Sequence, residues 1–197
     1  SVSKAIEHVA PNAEVVVTSE SAVIDRAARV VFPGQGAMPD CMREMDARDL
    51  RAAVLRAATQ KPFLGICIGL QMLFDRSEEG DVAGLGVFQG AVRRFPDAAM
   101  HTADGLRLKV PHMGWNEVAQ VLSHPLWNGI EDGARFYFVH SYYVEPATAG
   151  SIVGSTNYGI PFTCAVARSN IFATQFHPEK SHQSGLRLLE NFVAWNP

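Results

Sequence analysis

Apolar positions along this chain follow two rhythms. Up to about Phe74 they alternate between helical spacing and short continuous runs. Residues 1–10 place Val2, Ile6 and Val9 on one helical face, and Pro11-Asn12 stops that helix. Residues 14–18 and 29–32 are apolar, β-branched runs that read as strands. Residues 39–60 are predicted to form one helix, with Leu50, Val54 and Ala57 or Ala58 at helical spacing. Lys61-Pro62 ends it. Residues 63–66 read as a strand, and a second apolar run through Phe74 reads as a helix. Helices alternating with short apolar strands predict a parallel sheet covered on both faces.

Past Gly80 the rhythm changes. Residues 77–81 form a polar loop, followed by Gly-rich turns and short strands. The strands are predicted at 91–95, 106–110, 134–143, 152–155, 162–168 and 171–176, antiparallel in part. Residues 185–195 close the chain as a helix, with Leu186, Leu189, Phe192 and Val193 inward. The change near Gly80 reads as a change of layer within one domain spanning residues 1–197.

The chemistry concentrates in Gly65-Ile66-Cys67-Ile68-Gly69-Leu70-Gln71. A cysteine between strand and helix, with glycines two before and two after, is the pattern of a nucleophile on a sharp turn. The glycines let strand and helix approach closely, and the helix N–H groups favour a thiolate and a developing oxyanion. A buried core cysteine is the competing reading. A thiol nucleophile needs a base and an orienting group. Of seven histidines, His177 alone follows an apolar strand and has a carboxylate at short range, in His177-Pro178-Glu179. Pro33-Gly34-Gln35-Gly36 also follows a strand, so its peptides are placed at the same sheet edge as Cys67 and His177. A plain tight turn explains that loop equally well.

Composition narrows the alternatives. The 197 residues are 47% hydrophobic and 19% charged with net charge −3, which gives no case for nucleic acid or an anionic membrane as partner. No apolar run is long enough to span a bilayer. Cys41, Cys67 and Cys164 cannot all pair and show no C-x-x-C spacing, so free thiols in a reducing cytoplasm are expected.

Three segments in this order, Pro33-Gly34-Gln35-Gly36, Gly65-Ile66-Cys67-Ile68-Gly69-Leu70-Gln71 and His177-Pro178-Glu179, resemble the class I, triad-type glutamine amidotransferases. Pro111-His112-Met113-Gly114-Trp115-Asn116 and Phe136-Tyr137-Phe138-Val139-His140-Ser141-Tyr142-Tyr143 narrow the resemblance to the glutaminase subunits of imidazole glycerol phosphate synthase. The resemblance covers the whole chain. It implies an α/β, flavodoxin-like three-layer fold, with a central mostly parallel sheet, helices on both faces and a small antiparallel sheet. It implies Cys67 as nucleophile, His177 as base and Glu179 as its orienting partner. Gln35, Gly36 and Ile68 would supply the oxyanion site. Gln71, Glu79, His140, Ser141 and Tyr142 would line a glutamine pocket. Trp115, in a Gly-Trp-Asn turn, and Lys180 would meet a (β/α)8-barrel cyclase subunit. No metal or cofactor is implied. Members of that subunit family open with a strand and a Gly/Asn-containing loop that this stretch lacks; the expectation is that they lie upstream of it. Two other functions fit the same residues: a free-standing cysteine hydrolase acting on γ-glutamyl substrates, and a non-catalytic binding subunit that kept the fold.

Overall fold

The computed structural model describes residues 2–197. In chain order the elements are α1 (Val2–Val9), α2 (Ser21–Arg26), β1 (Val30–Gly34), α3 (Met38–Ala47), α4 (Arg51–Gln60) and β2 (Phe63–Cys67). The chain continues with α5 (Ile68–Met72), β3 (Phe74–Ser77), β4 (Val82–Ala83), β5 (Phe88–Arg94), β6 (His112–Glu117) and β7 (Ala119–Gln120). It ends with β8 (Arg135–His140), β9 (Tyr142–Pro146), β10 (Ile152–Tyr158), β11 (Ile160–Arg168), β12 (Ile171–Thr174) and α6 (His182–Ala194).

The main sheet runs β1-β2-β12-β11-β9-β5-β3-β4. Its parallel core is β1-β2-β12, with Gly34 opposite Cys67 and Thr174 opposite Ile66. Beyond β12 most pairings are antiparallel, β3 with β5 being a further parallel one. All five residues of β2 and all four of β12 are buried, as strands covered on both faces must be. β6 and β8 form a separate antiparallel pair. Because β1, β2 and β12 run the same way, the segments leaving all three meet at one edge. Those segments are the Gln35 loop, the Cys67 turn and the His177 turn.

Several expectations need correction. Residues 14–18 make no strand: Val16 is 55% and Val17 84% exposed, and no neighbouring strand satisfies their backbone. The helix expected over 39–60 is two, because Asp49 turns at φ 55° and breaks the run between α3 and α4. The helix after Cys67 spans only five residues, and Phe74 begins β3 instead. Residues 106–110 form no strand; Arg107 makes an isolated bridge to His101. The run 134–143 is divided at Ser141 between β8 and β9, which belong to different sheets. Trp115 lies within β6, paired with Tyr137, rather than in a turn. In α6 the inward positions include Leu188, which the sequence pattern missed, while Leu186 is only half-buried.

The strand-to-helix turn depends on glycines where side chains do not fit. A Cβ on Gly69 would stand 1.8 Å from the Phe32 carbonyl oxygen in β1. On Gly65 it would stand 2.9 Å from the Ala173 Cβ in β12. Gly69→Ala must push backbone, while Gly65→Ala must push a methyl. Gly69→Ala is therefore expected to lose more than the ~1–3 kcal/mol typical of overpacking, and Gly65→Ala to stay within it. Urea titrations of the two variants check the order; equal losses would contradict it.

Candidate active site

Cys67 is the last residue of β2 and caps α5 at φ 56°, ψ −111°. That left-handed backbone costs a non-glycine residue on the order of 1–3 kcal/mol. It swings the thiol out of the strand toward a cavity of about 400 Å³. With only five residues, α5 carries a small dipole. Its first N–H, that of Ile68, still lacks an intrahelical acceptor.

His177 follows β12 and leads into a single 3-10 turn, Pro178–Lys180. Two hydrogen bonds tie this turn to β8, and one closes it on itself. The His177 N–H donates to the Tyr137 carbonyl (2.9 Å), the Tyr137 N–H to Ser181 Oγ (2.9 Å), and Ser181 Oγ to the His177 carbonyl (2.6 Å). His177 Nδ1 meets Glu179 Oε1 at 2.9 Å, with both side chains only 7% exposed. The other nitrogen, Nε2, is buried without a partner in strict hydrogen-bond geometry. Its interaction with Cys67 is the looser kind found in thiol–imidazole pairs before substrate closes on them. Burial alone would discharge the imidazole. Hydrogen bonding and charge interaction with Cys67 and Glu179 outweigh that and raise its pKa to about 9. Burial likewise opposes ionisation of Glu179, but the bond to His177 wins and holds its pKa below the usual value. The arrangement can take a proton from sulfur, hold it on Nε2 and fix the tautomer through Nδ1.

Cys67 and His177 share their cavity with Gly34, Gln35, Gly36, Ile68, Gln71, Glu79, His140, Ser141, Tyr142 and Lys180. Apart from Trp115, and from Glu179 bonded to His177, every residue singled out in the sequence therefore lines one concavity. Three of them carry hydrogen bonds that only the structure reveals. Glu79 is neither free nor merely solvated: its Oε2 accepts the Met38 N–H (2.8 Å) at the start of α3. His140 has both nitrogens engaged within the protein. Since the Tyr142 carbonyl only accepts, Nδ1–H of His140 donates to it (2.7 Å), leaving Nε2 as acceptor from His112 Nδ1–H (2.9 Å). His140 thus shapes the wall without offering a free nitrogen. The Gln35 carbonyl accepts from the Cys41 thiol (3.3 Å).

Gln71 and Gln175 form a pair that the sequence only half revealed. Gln71 Nε2 donates to the Tyr142 carbonyl (3.1 Å) and to Gln175 Oε1 (3.0 Å), while Gln71 Oε1 is buried with no partner. Gln175 is a neighbour of the nucleophile that no sequence motif marks, its Nε2 standing 3.7 Å from Cys67 Sγ. His112 lies behind His140, bonded to its Nε2. Trp115 lies outside the cavity at 41% exposure, in T-shaped contact with Tyr137 (6.1 Å) and stacked on His182 (4.8 Å). Lys180 Nζ stands 5.8 Å over the same Tyr137 ring, so Trp115 and Lys180 share one face. A larger cleft of about 570 Å³ opens between Lys61-Pro62 and Ser169-Asn170, at the opposite ends of β2 and β12, and holds none of these groups.

The buried His112 and His140 and the half-buried His124 set a pH dependence. Burial lowers the pKa of His112 and His124 to about 4 and of His140 to about 3. The unfolded chain then binds more protons than the folded one. Their stabilisation is complete above about 6.5 and drains away as pH falls toward 4 and 3. His177 has the opposite sign: its contribution is full below about 6.5 and lost as pH rises through about 9. Urea midpoints across pH should fall on both sides, and His112→Asn should flatten the acid limb. A flat acid limb in the unmodified chain would overturn this account.

The comparisons agree with this geometry. The family model described as "Glutamine amidotransferase class-I" matches residues 2–195. The imidazole glycerol phosphate synthase subunit HisH of Dechloromonas aromatica (strain RCB) is 67% identical over all 197 residues, 91% of its own length. The protein of the same name from Aromatoleum aromaticum is 66% identical over all of this chain and 93% of its own. The Chromobacterium violaceum protein of that name is 54% identical over all of this chain and 92% of its own.

The chain belongs to the HisH branch of the class-I glutamine amidotransferases.

Among solved structures, one titled "Crystal structure of glutamine amidotransferase" matches this HisH-branch chain with TM-score 0.69. The match covers 97% of this chain and 92% of that one at 14% identity. The glutaminase domain of Trypanosoma brucei CTPS matches with TM-score 0.62 at 16% identity, over 100% of this chain and 88% of that one. At such identities these matches speak for the fold alone. HisH-branch membership sets the reaction class as transfer of nitrogen from glutamine.

Proposed function

We propose that this chain is the glutaminase subunit of an imidazole glycerol phosphate synthase, acting in histidine biosynthesis in the cytoplasm as one amidotransferase domain. The carrying observation is a cysteine on a left-handed turn facing a buried, unpartnered imidazole nitrogen whose ring is fixed by a carboxylate. Cys67 Sγ attacks the side-chain amide carbon of glutamine, and His177 takes the thiol proton. Collapse of the tetrahedral intermediate breaks the C–N bond, and His177 Nε2 protonates the departing ammonia. A γ-glutamyl thioester remains. Water, deprotonated by the same nitrogen, cleaves it to glutamate and free Cys67. Glu179 holds the imidazole tautomer and offsets its charge without accepting the proton itself. The oxyanion is received by the Ile68 N–H and by an N–H of the Gln35-Gly36 segment.

Substrate specificity follows from the same wall. Gln71 Oε1, buried and unpaired, accepts a hydrogen bond from glutamine; Glu79, Ser141 and Tyr142 complete the pocket. Ammonia passes to a (β/α)8-barrel cyclase subunit docked as a heterodimer partner against the face holding Trp115 and Lys180. Among the described residues no helix is long and apolar enough to cross a membrane.

A glutamine-analogue alkylator, such as a diazoketone of glutamine, tests the reading. Peptide mass spectrometry should find it on Cys67, with glutamine protecting, and not on Cys41 or Cys164. Labelling that glutamine does not slow would favour the hydrolase of other γ-glutamyl substrates.

A further inference from the structure

Gln175 is fully buried, between the end of β12 and His177, and the mechanism above gives it no task. The chain bends at Gln175 and Phe176 as it leaves β12. Phe176 points into an aromatic cluster, 4.2 Å from Phe136 and 5.7 Å from Phe138. Gln175 and His177 face the other way, and both address Cys67. The Gln175 backbone is fixed by its N–H donating to the Cys164 carbonyl (2.8 Å).

The direction of the Gln175 amide follows from its neighbours. The Tyr142 carbonyl accepts only, so the Gln71 group facing it is Nε2. The second N–H on that nitrogen needs an oxygen, which makes the nearer Gln175 atom Oε1, at 3.0 Å. Gln175 Nε2 is left facing Cys67 Sγ at 3.7 Å. Turning the amide over would set N–H against N–H and put an oxygen lone pair on the sulfur.

We propose that Gln175 is a positioning residue for the nucleophile: its Nε2–H donates to Cys67 Sγ, and Gln71 holds the amide in that sense. A thiolate in a buried cavity has few waters to solvate it, and hydrogen bonds to charged groups are about twice as strong as neutral ones. Gln175 favours the thiolate over the thiol and aims the sulfur lone pair into the cavity. Gln71 thereby serves both the pocket and, through Gln175, the sulfur. The inference rests on the glutaminase reading for its purpose, but the sulfur chemistry can be measured without glutamine.

The other titratable groups around the sulfur are His177 with Glu179 from the turn after β12, Cys41 from α3, Glu79 from the loop after β3, His140 from β8, Tyr142 from β9 and Lys180 beyond Glu179; none is altered by the substitutions at Gln175. The experiment is iodoacetamide labelling of the full chain across pH, read at Cys67 by peptide mass spectrometry, with Cys41 as internal reference. Gln175→Met keeps the bulk and removes the donor. Gln175→Glu keeps an oxygen for Gln71 but sets a carboxylate against sulfur. The labelling midpoint of Cys67 should rise by about one pH unit in Gln175→Met, making labelling about tenfold slower below the midpoint, and by more in Gln175→Glu. Cys41 labelling should be unchanged.

Side-chain amide NMR of the unmodified chain gives a second readout that needs no variant: the Gln175 Nε2 protons should shift with the same midpoint as Cys67 labelling. Labelling profiles unmoved in folded variants, or Gln175 protons that ignore that midpoint, would overturn the proposal. If instead Gln175 controls the labelling while the unmodified chain, alone and with a cyclase partner, releases no ammonia from glutamine, the glutaminase reading fails and this inference stands.

Discussion

Cys67→Ser should reduce glutamine hydrolysis by about 10⁴-fold or more, the scale seen when the nucleophile of a catalytic triad is removed. Serine fits the space and accepts the φ 56° backbone no worse than cysteine, so melting should be nearly unchanged. What is lost is an ionisable sulfur beside His177. The other cysteines serve as controls. Cys164 is wholly buried in β11, and burial pushes its thiol far above the ordinary range. Cys41 is half-buried, and burial raises its pKa as well. Loss of either thiol should leave activity within a few-fold. His177→Ala should rival Cys67→Ser, since without it nothing carries the proton to ammonia. Glu179→Gln should be milder, because a neutral amide still reaches Nδ1 while its charge is lost. Ammonia release, with circular dichroism melts as the folding check, decides each case. Turnover surviving in Cys67→Ser would mean the nucleophile is misassigned.

Local turns are legible in the sequence where tertiary pairing is not, and the reason is physical. The Cys67 turn is specified locally: Gly65 and Gly69 are where Ala173 and the Phe32 carbonyl come too close for a side chain. His177-Pro178-Glu179 is equally local, because one proline and one 3-10 turn set the geometry. Residues 14–18 depart from their sequence pattern for the opposite reason. The β-branched residues suit a sheet, but pairing depends on a neighbour that local sequence does not reveal. The 39–60 helix was overextended because Asp49 is an ordinary residue that happens to turn left-handed. The split of 134–143 at Ser141 was hidden because both halves are strands, and only tertiary pairing assigns them to different sheets. Gln175 is silent in the sequence because an uncharged amide carries no motif. Its role emerges only when the chain sets it between Gln71 and the sulfur.

The glutaminase rate of the chain alone should be low, and a cyclase subunit carrying its nucleotide ligand should raise it by at least about a hundredfold, the typical value of one oxyanion donor. Free glutamine is abundant in cells, so an uncontrolled glutaminase would waste it. The Pro33-Gly34-Gln35-Gly36 segment offers the means of control. Gly36 sits at φ 93° with open space where a side chain would be, and the Gln35 carbonyl is held by a single thiol hydrogen bond from Cys41. Such a bond is weak, so a partner's contacts can outweigh it and turn the Gln35 peptide over. One orientation presents a carbonyl to the reacting carbon and the other an N–H, and only the second completes the oxyanion site. A partner has a route to this edge. Trp115 and Lys180 both rest on Tyr137, whose carbonyl and N–H bind His177 and Ser181. Pressure on that face therefore reaches the His177 turn through backbone hydrogen bonds. Lys180→Ala should weaken activation more than binding, because an exposed charge contributes little affinity. Steady-state ammonia release is measured for the chain alone, with cyclase, and with cyclase plus its nucleotide ligand. Full activity alone, unchanged by either addition, would remove the case for coupling and leave a free-standing hydrolase.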